Sequence, residues 1–207
     1  MKFLYFGTIN KIKYHYNDTK KEIQVVRMKN KKILKLVITA LFMALTTVAT
    51  LVVQIPSPTK GYVNLGDEVV LLSAWLLGPA YGTLAAGIGS MLTDIITGYV
   101  AYAPGTLVIK AGIALVAYFS FKAFGKQTAE SRGKRTAARI VSGIAGEIVM
   151  ILGYFGYASL LLGKGFAAVA SIPGNCVQAV IGIVVSVLLI ELLTANSKIR
   201  AFVKDIS

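Results

Sequence analysis

The chain alternates between long apolar runs and short polar or basic stretches. The first apolar run covers residues 33–55 and stops at Pro56 and Pro58, which cannot continue a helix. A helix that spans a membrane needs about 20 predominantly apolar residues. The run therefore predicts a first transmembrane helix.

Five further apolar segments follow, separated by turn-forming residues or by a basic stretch. Gly78-Pro79 predicts a tight turn between a short segment and a longer one, and Ala103-Pro104-Gly105 separates the next pair. The five segments are 69–77, 81–99, 106–124, 140–162 and 172–193. We predict an all-α integral membrane protein, a compact bundle of six transmembrane helices.

Composition supports a membrane location. Of the 207 residues, 56% are hydrophobic and only 15% are charged, and the mean hydropathy is +0.69. Soluble domains carry about 25% charged residues, and a soluble protein of this size has too little interior for so much apolar surface. We predict a multi-pass protein of the plasma membrane.

The positive charges predict the orientation. Of 22 Lys and Arg, ten lie at or before Lys35, six lie between Lys122 and Arg139, and three lie after residue 195. With both chain ends in the cytoplasm, these nineteen fall on the inner side, as the positive-inside rule requires. The pattern predicts an N-in, C-in topology, and it assigns the net charge of +13 to the membrane surface rather than to nucleic acid.

The same boundaries predict three regions of the chain. Residues 1–32 form a basic cytoplasmic leader, residues 33–194 form the six-helix membrane domain, and residues 195–207 form a short cytoplasmic tail. Translation from Met28 is an alternative origin for the leader, because Met28 directly precedes the lysines before the first apolar run. No function is assigned to the leader.

Residues for catalysis are scarce. The one His lies in the leader, the one Cys is Cys176 within an apolar stretch, and no G-x-x-x-x-G-K-[ST] phosphate loop occurs. We expect no enzymatic activity, no catalytic residue, no metal site and no cofactor.

Polar residues within the apolar segments carry the functional prediction. A charge near the bilayer centre costs about 2.5–3.5 kcal/mol on insertion scales, so such residues usually face a cavity or a partner. In the predicted topology they converge from five helices in the outer half, while the inner half has no such cluster. The predicted substrate-binding residues are Asn64, Asp67, Glu68, Asp94, Lys110, Glu147, Tyr154, Asn175 and Gln178.

Each polar residue also has a simpler interpretation, which the sequence leaves open. Asp94 and Lys110 would form an ion pair between two helices, Glu68 would cap the start of the second helix, and Tyr154 would lie at the membrane interface. If these interpretations fail, the set describes a pocket for a small polar solute, with carboxylates and amides for hydrogen bonds and aromatic rings for stacking.

Small residues at spacings of four mark two helix faces. Gly82, Ala86 and Ser90 form one stripe, and Ala40-x-x-x-Ala44 forms another on the first helix. Such stripes let helix backbones approach closely in lipid. They indicate either packing inside the bundle or docking of a partner membrane protein.

Several motifs taken together resemble one transporter family. The strings are Gly61-Tyr-Val-Asn-Leu-Gly-Asp67, Leu76-Leu-Gly-Pro79, Gly87-Ile-Gly-Ser90 with Asp94, Gly98-Tyr99 with Ala103-Pro104 and Lys110, Gly146-Glu147 with Gly153-Tyr154, and Ile172-Pro-Gly-Asn175 with Gln178. Residues 28–195 resemble the substrate-binding S components of energy-coupling factor (ECF) vitamin importers, in the riboflavin-type and related branch.

This resemblance implies partners and a mechanism. It implies a vitamin site near the outer face, and docking of a transmembrane T component on Ala40 and Ala44. It also implies two separate ATPase subunits that supply the energy, in keeping with the absence of a phosphate loop here. The substrate stays open among riboflavin, pyridoxine-type pyridines, hydroxymethylpyrimidine-type thiamin precursors and pantothenate, and the polar set leans slightly toward a single nitrogen ring. A self-sufficient carrier or channel is the alternative function.

Overall fold

The computed structural model describes residues 31–57, 61–125 and 131–206. The chain divides into two units, 1–37 and 38–207. Of the first unit, the described residues are the opening turns of helix α1, Lys31–Val52. The other predictions about the leader, including Met28, lie outside the described residues. The account below concerns the second unit.

A β-hairpin follows α1, where the sequence predicted only a polar loop. Strands β1 (Gln54–Pro56) and β2 (Tyr62–Asn64) pair antiparallel, with Ile55 opposite Val63. The hairpin places β2 next to the start of the following helix. Its polar side chains are thereby held at one end of the helices.

Helix α2, Asp67–Ile96, is divided at Gly78, whose backbone is not helical (φ 80°, ψ −175°). Glycine adopts a positive φ without the steric cost that other residues meet. A Cβ atom added to Gly82 would lie 2.6 Å from the carbonyl oxygen of Ser73, and Ser73 Oγ donates to the Gly82 carbonyl at 3.1 Å. In a straight helix these residues would be about 13 Å apart, so the arms 67–77 and 79–96 fold back on one another. The predicted turn at Gly78-Pro79 is confirmed.

The remaining helices cover the predicted segments and continue beyond them at one or both ends. Helix α3 is Ala103–Gly125 and helix α4 is Arg132–Gly156, continued by a π-helical turn, Tyr157–Leu161. A 3₁₀ segment, Gly165–Ser171, leads into helix α5, Ile172–Ala195. A further helix, α6 (Ser197–Ile206), occupies the predicted tail.

Five of the described helical segments are long and apolar enough to cross a membrane. The first arm of α2 is the most deeply buried part, and its residues 69–72 and 74–77 are all in the hydrophobic core. Around it pack α3, α4 and α5, through Ile113, Met150 and Ile190. The prediction of an all-α membrane protein is confirmed, and the count of five takes the two arms of α2 as one segment.

Helix α1 packs against the second arm of α2 at a glycine. A Cβ atom at Gly89 would lie 2.7 Å from the Met43 carbonyl oxygen, and Thr47 Oγ1 donates to the Gly89 carbonyl at 2.9 Å. Most of the other faces of α1 are exposed, including Ala40 and Ala44. The stripe of Gly82, Ala86 and Ser90 is buried, so it serves packing inside the bundle.

Candidate functional site

A cavity opens at the end of the bundle where α2, α3 and α5 begin, which we call the pocket end. It contains about 540 Å³ of space, including its open mouth. Hairpin β1–β2 borders the cavity, together with the second arm of α2 and helices α3, α4 and α5. Its lining residues are Thr50, Ser57, Gly61, Tyr62, Asn64, Ser90, Asp94, Tyr102, Thr106, Lys110, Tyr154, Ala158, Ser171, Asn175 and Gln178.

Asp94 presents a hydrogen-bond acceptor to this cavity. Its Oδ1 accepts a hydrogen bond of 2.5 Å from the Tyr62 hydroxyl. Its Oδ2 accepts none of ordinary geometry among the described residues, and the Thr106 hydroxyl lies close enough to interact with the carboxylate. The side chain is only 2% exposed. Burial, with the nearby Asp94, raises the pKa of Tyr62, so its hydroxyl stays protonated and donates. An acceptor atom of Asp94 is therefore left for another donor.

A chain of hydrogen bonds connects the cavity floor to the hairpin. Lys110 Nζ forms an ion pair with Asp67 Oδ1, and Gln178 Nε2 donates to Asp67 Oδ2 at 2.5 Å. Gln178 Oε1 accepts from the Asn64 backbone N–H at 2.8 Å, and Asn64 Oδ1 accepts from the Gly66 N–H at 2.9 Å. One side chain of α5 thus fixes both the start of α2 and the end of β2.

The simpler interpretation of the sequence was an ion pair between Lys110 and Asp94, and the structure shows a different pair. Among the described residues Lys110 pairs with Asp67 and not with Asp94. The two arms of α2 both reach the pocket end, so Asp67 and Asp94 lie near one another in space although they are far apart in sequence. The sequence alone gave no way to choose between the two carboxylates.

Aromatic side chains form part of the cavity wall. The Tyr154 hydroxyl donates to Thr106 Oγ1 at 3.0 Å, and Lys110 Nζ lies 5.7 Å from the Tyr154 ring centroid. The Tyr102 hydroxyl accepts from Lys164 Nζ at 2.7 Å. These contacts fix the two rings in the cavity wall.

The structure brings most of the predicted residues to the cavity. Those that line it are Asn64, Asp94, Lys110, Tyr154, Asn175 and Gln178. Asp67 lies behind this surface as the partner of Lys110, while Glu68 and Glu147 are buried without lining it. Asp67 and Glu147 both lie beside Gly182: a Cβ atom there would be 3.0 Å from Asp67 Cβ and 3.6 Å from Glu147 Oε1.

Some lining residues were missed by the sequence prediction. Tyr62 and Ser171 lie outside the predicted spans, and Ser90 was assigned to a packing stripe. Thr106 is an uncharged residue near the start of a helix, and no sequence signal marks it as part of a binding site. The alternation along β2 is a usable signal, because Tyr62 and Asn64 must point to the same face of a strand.

The opposite end of the bundle also holds polar contacts, and we call it the clasp end. Glu191 near the end of α5 accepts from Arg139 Nη1 at 2.6 Å, Thr136 Oγ1 at 2.9 Å and Arg132 Nε at 2.9 Å, all on α4. The prediction that this half lacks a polar cluster is wrong. The sequence pattern placed Arg132 and Arg139 in a basic loop. In the structure α4 begins at Arg132, so both side chains lie on this helix and bond Glu191 of α5.

The chain is similar to proteins of known sequence along most of its length. It is 26% identical over 179 residues to the thiamine precursor transporter HmpT of Lactococcus lactis, covering 86% of this chain and 98% of that protein. It is 43% identical over 143 residues to an uncharacterized protein of Pyrococcus woesei, covering 67% of this chain and 87% of that one.

Solved structures share the fold. The S component of a bacterial ECF transporter matches with a TM-score of 0.59 at 20% identity, covering 79% of this chain and 97% of that one. ThiT from Listeria monocytogenes matches with a TM-score of 0.63 at 18% identity, covering 82% and 98%. The family model of the ECF-type riboflavin transporter S component matches residues 30–195. The chain therefore belongs to the family of S components of ECF-type transporters, and it is a multi-pass protein of the plasma membrane.

Proposed function

We propose that this S component captures a small nitrogen heterocycle, a vitamin or vitamin precursor, in the cavity at the pocket end. The observation that carries the proposal is the buried Asp94, which lines the cavity and whose Oδ2 accepts no hydrogen bond of ordinary geometry among the described residues. A buried acceptor is costly unless it is satisfied. A ligand that donates an N–H or O–H to Asp94 supplies that hydrogen bond.

The polar lining favours a single ring with donor groups. Asp94 and Asn175 stand on different helices around the cavity, and Lys110 is already neutralised by Asp67. The similarity of this chain to a thiamine precursor transporter, over 98% of that protein's length, also favours a single ring. A hydroxymethylpyrimidine-type thiamine precursor, whose ring nitrogens and exocyclic groups match such partners, is our first candidate substrate.

Riboflavin is the second candidate, and the family match supports it. Riboflavin presents imide and hydroxyl donors to a carboxylate but needs a longer aromatic wall. Tyr62, Tyr102 and Tyr154 line the cavity and would pack against its rings. Pyridoxine-type compounds and pantothenate complete the panel to be tested.

The proposed topology has six crossings with both ends in the cytoplasm. We count each arm of α2 as one crossing because the arms fold back on one another at Gly78; the first arm, 67–77, is about 16 Å long and shorter than the hydrocarbon core. The clasp end then faces the cytoplasm, because Lys122 at the end of α3 and the basic residues of α4 from Arg132 to Arg139 lie there. The pocket end faces outward, where a solute first arrives.

Import requires partners in this proposal. The S component would bind its solute, and a transmembrane T component with two ATPase subunits would drive delivery to the cytoplasm, with no enzymatic step in this chain. Ala40 and Ala44 are both exposed on α1, which supports their role as the docking face for the T component. Replacing both with Leu should prevent assembly but leave solute binding intact, whereas Ala137→Leu on α4, also at an exposed alanine, should assemble normally.

The substrate can be identified by mass spectrometry of the small molecule that copurifies with the protein from cells grown on a full vitamin supply. We expect the copurifying molecule to be a pyrimidine thiamine precursor. An excess of the authentic compound should compete with it for the site. A flavin in its place would transfer the proposal to riboflavin. Solute transport by this chain alone in liposomes would instead favour a self-sufficient carrier.

A further inference from the structure

Helix α6 is joined to α5 by a turn that fixes its direction. The backbone at Asn196 is extended, and Asn196 Oδ1 accepts from the Lys198 N–H at 2.9 Å, which caps the new helix. Arg200 Nε donates to the Thr194 carbonyl at 3.0 Å, at the end of α5. Because hydrogen bonds hold both ends of the turn, α6 is a separate helix with a defined direction and not a continuation of α5.

The apolar residues of α6 are only partly covered. Positions 199, 202, 203 and 206 follow the i, i+3, i+4, i+7 spacing of one helix face. Val203 packs against the hydrophobic core, while Ile199 is 36% and Phe202 46% exposed. The stripe is too narrow and the helix too short to span a bilayer.

Positively charged residues lie at the same end of the bundle as this stripe. Lys198 and Arg200 are exposed on α6, and Arg132 and Lys134 are exposed at the start of α4. Both Arg132 and the end of α5 belong to the clasp end, because Arg132 bonds Glu191. A short amphipathic helix with a basic polar side is typical of segments that lie in the plane of a membrane interface.

We propose that α6 and the exposed basic residues at the start of α4 form a surface for anionic phospholipid headgroups. Phe202 and Ile199 enter the boundary between headgroups and acyl chains, and Lys198 and Lys134 bind the lipid phosphates. Charge complementarity selects this occupant, because a neutral headgroup offers no net charge to these cations. The surface is distinct from the solute cavity, which lies at the opposite end of the bundle.

The test is hydrogen exchange of the full-length protein in nanodiscs of phosphatidylcholine alone and of phosphatidylcholine with one third phosphatidylglycerol. We expect the backbone amides of α6 to exchange about tenfold more slowly with the anionic lipid, since each Lys or Arg near such a surface contributes several-fold in affinity. The difference should shrink at high salt, which screens exposed charges. Equal exchange rates in the two nanodiscs would overturn the proposal.

Variants then separate the two parts of the surface. Combining Lys198→Gln with Lys134→Gln should abolish most of the lipid-dependent slowing, and Lys198→Arg with Lys134→Arg should keep it. Phe202→Ser should speed exchange in both lipids, whereas Phe166→Ser, at a phenylalanine 90% exposed near the other end of the bundle, should leave α6 unchanged. Protection of α6 that appears only when the T component and ATPases are added would identify a protein-docking surface and overturn the lipid proposal.

Discussion

The pocket end and the clasp end both place polar side chains inside an apolar chain, but they satisfy them differently. At the clasp end both oxygens of Glu191 accept hydrogen bonds from α4. At the pocket end Asp94 Oδ2 and Ser90 Oγ lack partners among the described residues, and both residues line a cavity. Arg139 Nε at the clasp end also lacks a partner among the described residues, so what sets the pocket end apart is the cavity that Asp94 and Ser90 line.

The pocket end nevertheless contains a structural layer beneath its binding surface. The ion pair of Asp67 with Lys110 is almost fully buried, and Gln178 bonds Asp67 from a third helix. Such a pair is weak evidence of net stabilisation, yet removing one partner leaves a buried charge uncompensated. The comparison therefore predicts different outcomes for residues that lie close to one another.

The largest expected effect comes from Lys110→Met. The substitution leaves the Asp67 carboxylate buried without its cation, which should cost about 3–5 kcal/mol of unfolding free energy. The double variant Asp67→Asn with Lys110→Met should recover much of the loss, because no lone charge remains. Denaturant unfolding in detergent measures both, and an unfolding free energy equal to that of the wild type in the single variant would contradict the role of the pair.

Asp94→Asn should weaken solute binding with little effect on folding. A hydrogen bond to a charged group contributes about 1.5–3 kcal/mol, which corresponds to roughly a 10- to 150-fold rise in Kd. The amide keeps the shape and can still accept from Tyr62. Calorimetric titration with the copurifying compound checks the prediction, and an unchanged Kd would remove Asp94 from the site.

Glu191→Gln is the matched change at the clasp end. Losing the charge-assisted bonds to Arg132 and Arg139 at this partly exposed position should lower the unfolding free energy by about 1–2 kcal/mol. The Kd for solute should stay within about twofold of the wild-type value, because Glu191 does not line the cavity. A marked loss of affinity with intact folding would erase the distinction between the two ends.

Tyr62→Phe should give the smallest effect. It removes one hydrogen bond to Asp94 Oδ1 and keeps the ring, which packs edge-on to Tyr99 with centroids 4.7 Å apart. This bond is present with and without solute, so its loss should largely cancel in Kd, which should change by less than about tenfold in either direction. A loss as large as that of Asp94→Asn would show that Tyr62 itself carries the recognition.

Much of this architecture could be predicted from the sequence because its signals are local. Apolar runs located the helices, and Gly78-Pro79 marked the bend in α2. The rarity of charged and amide side chains in those runs singled out Asp94, Lys110 and Gln178 as residues that converge. The family resemblance, drawn from the same motifs, is confirmed by the family match.

The remaining features depend on contacts between distant parts of the chain. Asp67 rather than Asp94 pairs with Lys110 because both arms of α2 return to one end. The pairing of β1 with β2, and the bonds of Glu191 to α4, are likewise set by tertiary packing. Helix α6 is short, and its four-residue apolar face is too weak a pattern to separate a helix from a polar tail by sequence.

The most direct test of the account is equilibrium titration of the purified wild-type protein in nanodiscs, without ATP or partner subunits, with the pyrimidine thiamine precursor and with riboflavin. We predict saturable binding of one of them at one site per chain, with a Kd in the micromolar range or below. We also predict that Asp94→Asn weakens this binding and that Glu191→Gln does not. Absence of saturable binding for these compounds, for pyridoxine-type compounds and for pantothenate would contradict the claim that the pocket end captures a vitamin.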